Sequence, residues 1–98
     1  MTHRSRKLRE SARDAPHCMG CGRPNTGGTL VLAHSNALED GRGAAHKSHD
    51  VLGAILCQDC HDLIDGRRGR LSKQEKREMH WRAHRRTLVW WVTQEILR

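Results

Sequence analysis

The sequence predicts a small α+β domain stapled by a metal ion: two short strands and a helix held at four cysteines, then a long C-terminal helix. Three observations predict it. Cys18-Met-Gly-Cys21 and Cys57-Gln-Asp-Cys60 form two Cys-x-x-Cys pairs, the spacing that lets a tight turn aim two sulfurs at one tetrahedral zinc. The 98 residues are 36% hydrophobic with no Phe, no Tyr and three Trp, too few large apolar side chains for an unbraced core at this length. The apolar runs are short, the longest being Leu88 to Val92, far below the roughly 20 residues of a membrane helix. No membrane partner is therefore expected.

Residues 1–16 read as a basic N-terminal arm, in which Arg4, Arg6, Lys7, Arg9 and Arg13 outweigh Glu10 and Asp14 for a net charge of +3. A solvated tail and a polyanion-binding segment both fit that pattern. The stretch from Met1 to Asp14 lacks the apolar run of a secretory signal, so a cytoplasmic location is expected. There, paired cysteines act as metal ligands rather than disulfides.

Residues 17–70 form the stapled core. Gly22 to Gly28 is turn-forming, and the β-branched and apolar Thr29 to His34 reads as a strand. Ser35 to Asp50 is polar, holds Gly41 and Gly43, and reads as a long loop; such loops inside compact domains are usually functional or mobile. Val51 to Leu56, interrupted by Gly53, is the returning strand. Cys57 then opens a short helix to about Asp65, broken by Gly66-Arg-Arg-Gly69. Between Cys21 and Cys57 lie 35 residues, against about 15 to 20 in the common two-knuckle zinc pattern. The inserted strand, loop and strand fill the difference, and His17 or His61 in place of one cysteine stays open as a variant ligand set.

Residues 71–98 read as a basic, amphipathic helix packing on the core. Ser72-Lys-Gln-Glu75 is a capping box, in which the serine and glutamate side chains satisfy each other's backbone N–H groups. Met79, Trp81, Leu88, Trp91, Val92 and Ile96 recur mostly at helical spacings and are expected to be its buried stripe. Val89 and Trp90 fall off the stripe, so either the helix is buried on two sides or an apolar patch pairs two copies as a homodimer. His80 and His84, crowded by Arg82, Arg85 and Arg86, read as part of a basic helix face.

Charge divides sharply along the chain: residues 17–65 carry a net −3 and residues 66–98 a net +7. A mildly acidic centre between basic flanks suits a cation site bordered by polyanion-binding surface. Arg67, Arg68, Arg70, Lys73 and Arg77 are the expected phosphate contacts, implying a nucleic-acid partner, DNA foremost. Trp81 is the one aromatic residue inside the basic segments, which offers little for stacking single-stranded bases.

The order Cys-x-x-Cys, Leu32-Ala-His34, a Gly-containing loop, Lys47 with Asp50, an apolar strand, Cys57-Gln-Asp-Cys60-His61 and Asp65 resembles the His-Me finger nucleases of the HNH or ββα-metal type. It is most similar to the small YbcO-like proteins of lambdoid phages and prophages, over about residues 12 to 98. The resemblance implies a ββα-metal core, a bacterial host cytoplasm, and phosphodiester hydrolysis with His34 as general base. Two positions depart from the fullest motif: the Asn that often precedes the second strand is missing, and Ala33 stands where several families place a metal ligand. Asp50 is then the candidate either to orient His34 or to bind the catalytic metal. His61 and Asp65, four residues apart on a helix, project from one face and can share a divalent cation such as Mg²⁺. His34, Asp50 and His61 are thus the expected catalytic residues, with Cys18, Cys21, Cys57 and Cys60 on a structural Zn²⁺ and His61 and Asp65 on the catalytic ion. The competing reading is a noncatalytic, zinc-stapled nucleic-acid-binding protein.

Overall fold

The computed structural model describes residues 5–34 and 50–97. Most of the expected loop, with Gly41, Gly43, His46, Lys47 and His49, lies outside the described residues, as does Arg4.

The basic arm folds. Ser5 is extended and caps helix α1 (Arg6–Ser11), its Oγ accepting the Leu8 N–H at 3.2 Å, and a 3-10 turn follows at Ala12–Asp14. Leu8, Ala12 and Ala15 are buried. Their spacing places them on one side of the helix and turn, and that side docks on the core while the arginines face water.

The two strands are shorter than expected. Strand β1 is Val31–Ala33 and strand β2 is Ala54–Leu56, paired antiparallel with Val31 opposite Leu56, Leu32 opposite Ile55 and Ala33 opposite Ala54. Asp50–Leu52, part of which was expected to be strand, is a 3-10 turn closed by the Gly53 N–H on the Asp50 carbonyl at 3.0 Å. A Cβ at Gly53 would stand 2.7 Å from the Leu32 side chain, so glycine is what allows this turn to lie against β1.

Helix α2 (Gln58–Asp65) starts directly after β2. It ends where Gly66, at φ 81°, donates its N–H to the carbonyls of Asp62 and Leu63, and Arg67 donates to Asp62 at 2.9 Å. This is the left-handed C-terminal stop that glycine favours. Helix α3 (Lys73–Thr93) opens on the expected capping box: Ser72 Oγ accepts from the Glu75 N–H at 3.1 Å and Glu75 Oε1 from the Ser72 N–H at 3.0 Å.

The face that α3 buries corrects the sequence reading. It packs chiefly on β2 and buries His80, Ala83, His84, Thr87 and Trp91, while Trp81 and Val92 from the expected stripe, and Val89, are more than half exposed. Two strands of three residues leave buried backbone groups that their own ladder cannot satisfy, and each must find a partner. Here α3 supplies them. His80 Nε2 donates to the Ala33 carbonyl at 3.0 Å, His84 Nδ1 to the Gly53 carbonyl at 2.8 Å, and Thr87 Oγ1 accepts from the Ile55 N–H at 3.0 Å. His80 and His84 are therefore buried connectors to the sheet and not a basic surface. Trp91, fully buried, donates its indole N–H to Ser11 Oγ at 2.8 Å and ties α3 to α1. None of the described helices is long and apolar enough to cross a membrane.

Candidate functional site

The four cysteines meet. Sγ of Cys18, Cys21, Cys57 and Cys60 all lie within 4.8 Å of one another, with Cys21 and Cys57 3.8 Å apart. Sulfurs about 2.3 Å from a tetrahedral zinc stand about 3.8 Å from each other, whereas a disulfide needs about 2.05 Å. The cluster can thus hold a metal such as zinc. Neither His17 nor His61 replaces a cysteine in it.

Local backbone explains the convergence. Cys18 donates its N–H to the Arg23 carbonyl at 2.8 Å and accepts from Gly22 at 2.9 Å, closing the first knuckle, and Met19 donates to the Ile55 carbonyl at 2.9 Å, fastening it to β2. Arg86 of α3 reaches the Met19 carbonyl at 3.0 Å. A Cβ on Gly20 would come to 3.0 Å from Leu56 Cδ2 and 3.2 Å from Cys60 Sγ, so glycine lets the turn pass closely over the second pair without displacing either side chain.

The thiols are unequal. Burial works to raise Cys18, but the N–H groups of Cys21, Cys57 and Gly20 aimed at its sulfur outweigh it and bring the thiol down to about 7. Burial pushes the Cys57 and Cys60 thiols up, and the neighbouring Cys18 charge adds to both. Cys18 stabilised as thiolate beside Cys57 and Cys60, which resist ionisation, is an arrangement that a divalent cation relieves.

The described residues also hold two histidine–carboxylate pairs. His34, at the end of β1, places Nε2 2.6 Å from Asp50 Oδ1. Asp50 is fully buried, and its Oδ2 accepts the Ser5 N–H at 2.5 Å and lies 3.3 Å from Arg9 Nε. On α2, His61 Nε2 lies 3.2 Å from Asp65 Oδ2, both side chains about one-quarter exposed. Among the described residues the four cysteines are the one set of three or more ligand groups converging within 4.8 Å. The two histidine pairs do not merge into such a set. Arg67, Arg68, Arg70, Lys73 and Arg77 are all exposed along the turn after α2 and the start of α3. Arg68 pairs with Asp59 at 2.5 Å, as does Arg23 at 3.1 Å.

Sequence reasoning did not connect Ser5 and Arg9 with Asp50. The available signal was Ser5 as a helix cap followed by Leu8, Ala12 and Ala15, which marks a docked helix rather than a tail.

A hairpin-like strand pair and helix meeting at a four-cysteine cluster, with a long helix laid across the sheet, defines a small α+β protein whose cysteines could hold a metal. The chain belongs to the family described as "Putative nuclease YbcO", whose model matches residues 6–96. It is similar to a solved structure titled "Structure of a putative bacteriophage protein from Escherichia coli str. K-12 substr. MG1655", with 26% identity, a TM-score of 0.65, and coverage of 91% of this chain and 100% of the other. No curated protein matches the chain.

Proposed function

We propose that the protein is a metal-dependent endonuclease of the ββα-metal type that hydrolyses phosphodiester bonds in DNA, with His34 as general base, one divalent cation at His61 and Asp65, and a structural zinc at the four cysteines. The observation that carries this reading is the hydrogen bond at 2.6 Å between His34 and the fully buried Asp50. A carboxylate accepting from Nε2–H fixes the imidazole tautomer and leaves the basic lone pair on Nδ1, the arrangement by which a histidine takes a proton from water. Asp50 thereby positions His34 and stabilises the imidazolium that forms. Membership of a family described as nucleases agrees with this chemistry.

His61 and Asp65 offer one nitrogen and one oxygen donor on a partly exposed helix face, a mixed set that fits Mg²⁺ or Mn²⁺ with other positions left to water and substrate. A cation held there supplies positive charge for the phosphoryl oxygens and the departing 3′ oxygen. Arg67, Arg70, Lys73 and Arg77 extend a basic surface from the end of α2 onto α3, suited to backbone phosphates on either side of the scissile bond. A homodimer through the C-terminal helix, one of the two alternatives drawn from Val89 and Trp90, would use the exposed Trp81, Val89 and Val92.

The test is cleavage of supercoiled plasmid by zinc-loaded protein across a Mg²⁺ and Mn²⁺ titration. His34→Ala is expected to keep zinc, fold and DNA affinity but to lose about 10² or more in rate, the scale of a missing general base. His61→Ala should lose activity that partly returns at high metal, because a lost ligand is lost affinity. Wild-type protein that binds DNA yet never cuts it would establish the noncatalytic reading instead.

A further inference from the structure

We propose that Arg9 of α1 is a substrate-binding residue of the His34 site, its terminal amino groups holding the phosphodiester whose attacking water His34 deprotonates. The inference rests on the nuclease reading above and adds a residue to it. Among the described residues, Asp50 accepts from His34 Nε2 on Oδ1 and from the Ser5 N–H on Oδ2, and Arg9 Nε stands 3.3 Å from Oδ2 as an ion pair. Imidazole and guanidinium are therefore held at the two oxygens of a single carboxylate.

Arg9 engages Asp50 through Nε, which also lies 3.4 Å from the Ser5 carbonyl. A guanidinium serving only to neutralise a buried carboxylate makes its best contact as a two-nitrogen fork. Here Nη1 and Nη2 have no protein partner among the described residues, and the Arg9 side chain is 46% exposed while Asp50 is 0% exposed. Nε is held by Ser5 and Asp50, and the side chain keeps enough exposure for its terminal amino groups to take a ligand from solvent. Two parallel N–H donors of fixed spacing match two non-bridging oxygens of a phosphodiester. Arg6, one turn earlier, is different: it is 85% exposed and pairs with Glu10 at 3.0 Å.

The experiment uses the full-length, zinc-loaded chain with Arg9→Ala, Arg9→Lys and Arg6→Ala. Duplex binding is read by anisotropy against salt without added Mg²⁺ or Mn²⁺, and plasmid cleavage is read with them. Arg9→Ala is expected to reduce the slope of log K on log salt by about 1, the signature of one lost phosphate contact, and to lower the cleavage rate about tenfold or more. Arg9→Lys should restore the melting temperature and the slope but not the rate, because an ammonium lacks the planar fork. Arg6→Ala, which removes the same charge from the same helix, should change neither. If Arg9→Ala lowers the melting temperature yet keeps the wild-type slope and KM, Arg9 only supports Asp50 and the inference is overturned. If wild-type protein never cleaves, the nuclease reading fails, while an unchanged slope in Arg9→Ala still refutes and a reduced slope still supports the phosphate contact.

Discussion

At the level of single residues, the apolar core of the described residues is threaded by five buried polar side chains, Ser11, Asp50, His80, His84 and Thr87. Thr87 accepts from the buried Ile55 N–H at 3.0 Å and donates to the Ala83 carbonyl at 2.8 Å, with no exposure of its own. Thr87→Val keeps the shape and removes the acceptor, leaving a buried strand N–H without a partner. The expected cost is about 1–3 kcal/mol, read as a lower urea midpoint with an unchanged m-value, and Thr87→Ser should recover most of it. The same logic explains what the sequence concealed. His80 and His84 sit among arginines and look like surface, because hydrophobic periodicity is blind to a helix that faces a sheet with hydrogen-bonding groups. His34 and Asp50 were legible as candidates from their motif positions. That Ser5 and Arg9 also meet Asp50 was not, since the partners are 45 and 41 residues away in sequence and no local pattern encodes that approach.

Among the elements, helix starts and stops were the most legible feature. Gly66 after α2 and Ser72 ahead of α3 each act where the sequence placed them, because caps are local chemistry; α2 also starts directly after Cys57, whose side chain makes no capping bond. Strand limits were less so: Asp50–Leu52 curls into a turn around Gly53, a close approach that only tertiary packing decides. The capping box of α3 yields a prediction with a pH signature. Hydrogen bonds from the Ser72 N–H and then its hydroxyl hold the Glu75 carboxyl below its ordinary 4.5. A carboxyl whose folded value is depressed adds stability that is present above 4.5 and lost as pH falls through the folded value. Ser72→Ala, which removes the side-chain acceptor for the Glu75 N–H, should cost about 1 kcal/mol near neutral pH. The pH-dependent part below about 4.5 should vanish in Glu75→Gln, measured by unfolding midpoints at pH 3 and pH 7. Equal pH dependence in wild type and Glu75→Gln would remove the reciprocal cap from the account.

Across the whole molecule, the four-cysteine cluster joins the segment that follows α1 to the end of β2 and the start of α2, over a sequence separation of 36 residues between Cys21 and Cys57. Apart from the sulfurs, the first knuckle is fastened to the sheet and α3 mainly by Met19 on Ile55 and Arg86 on Met19. Metal binding and folding should therefore be coupled. Removing metal with a chelator, or replacing Cys60 by Ser, is expected to lower the melting temperature and broaden the transition, and zinc should reverse the first but not the second. Protonation sets the pH dependence. The metal requires thiolates, and burial holds Cys57 and Cys60 above their ordinary 9.0, so binding displaces protons and affinity should rise from pH 6 to pH 8. Metal-free protein should behave differently. Cys18, brought down to about 7 from 9.0, contributes stability that is fully present above 9 and lost as pH falls through 7. Cys57 and Cys60, raised by burial, contribute stability present below 9 and lost as pH climbs beyond it through their folded values. Melting curves of chelated and zinc-reloaded protein from pH 6 to pH 10, beside zinc titrations at the same values, read both arms. A melting temperature indifferent to chelation, or a zinc affinity indifferent to pH, would show that the thiols hold no metal and that the packing of α3 on β2 and α1 sustains the fold alone.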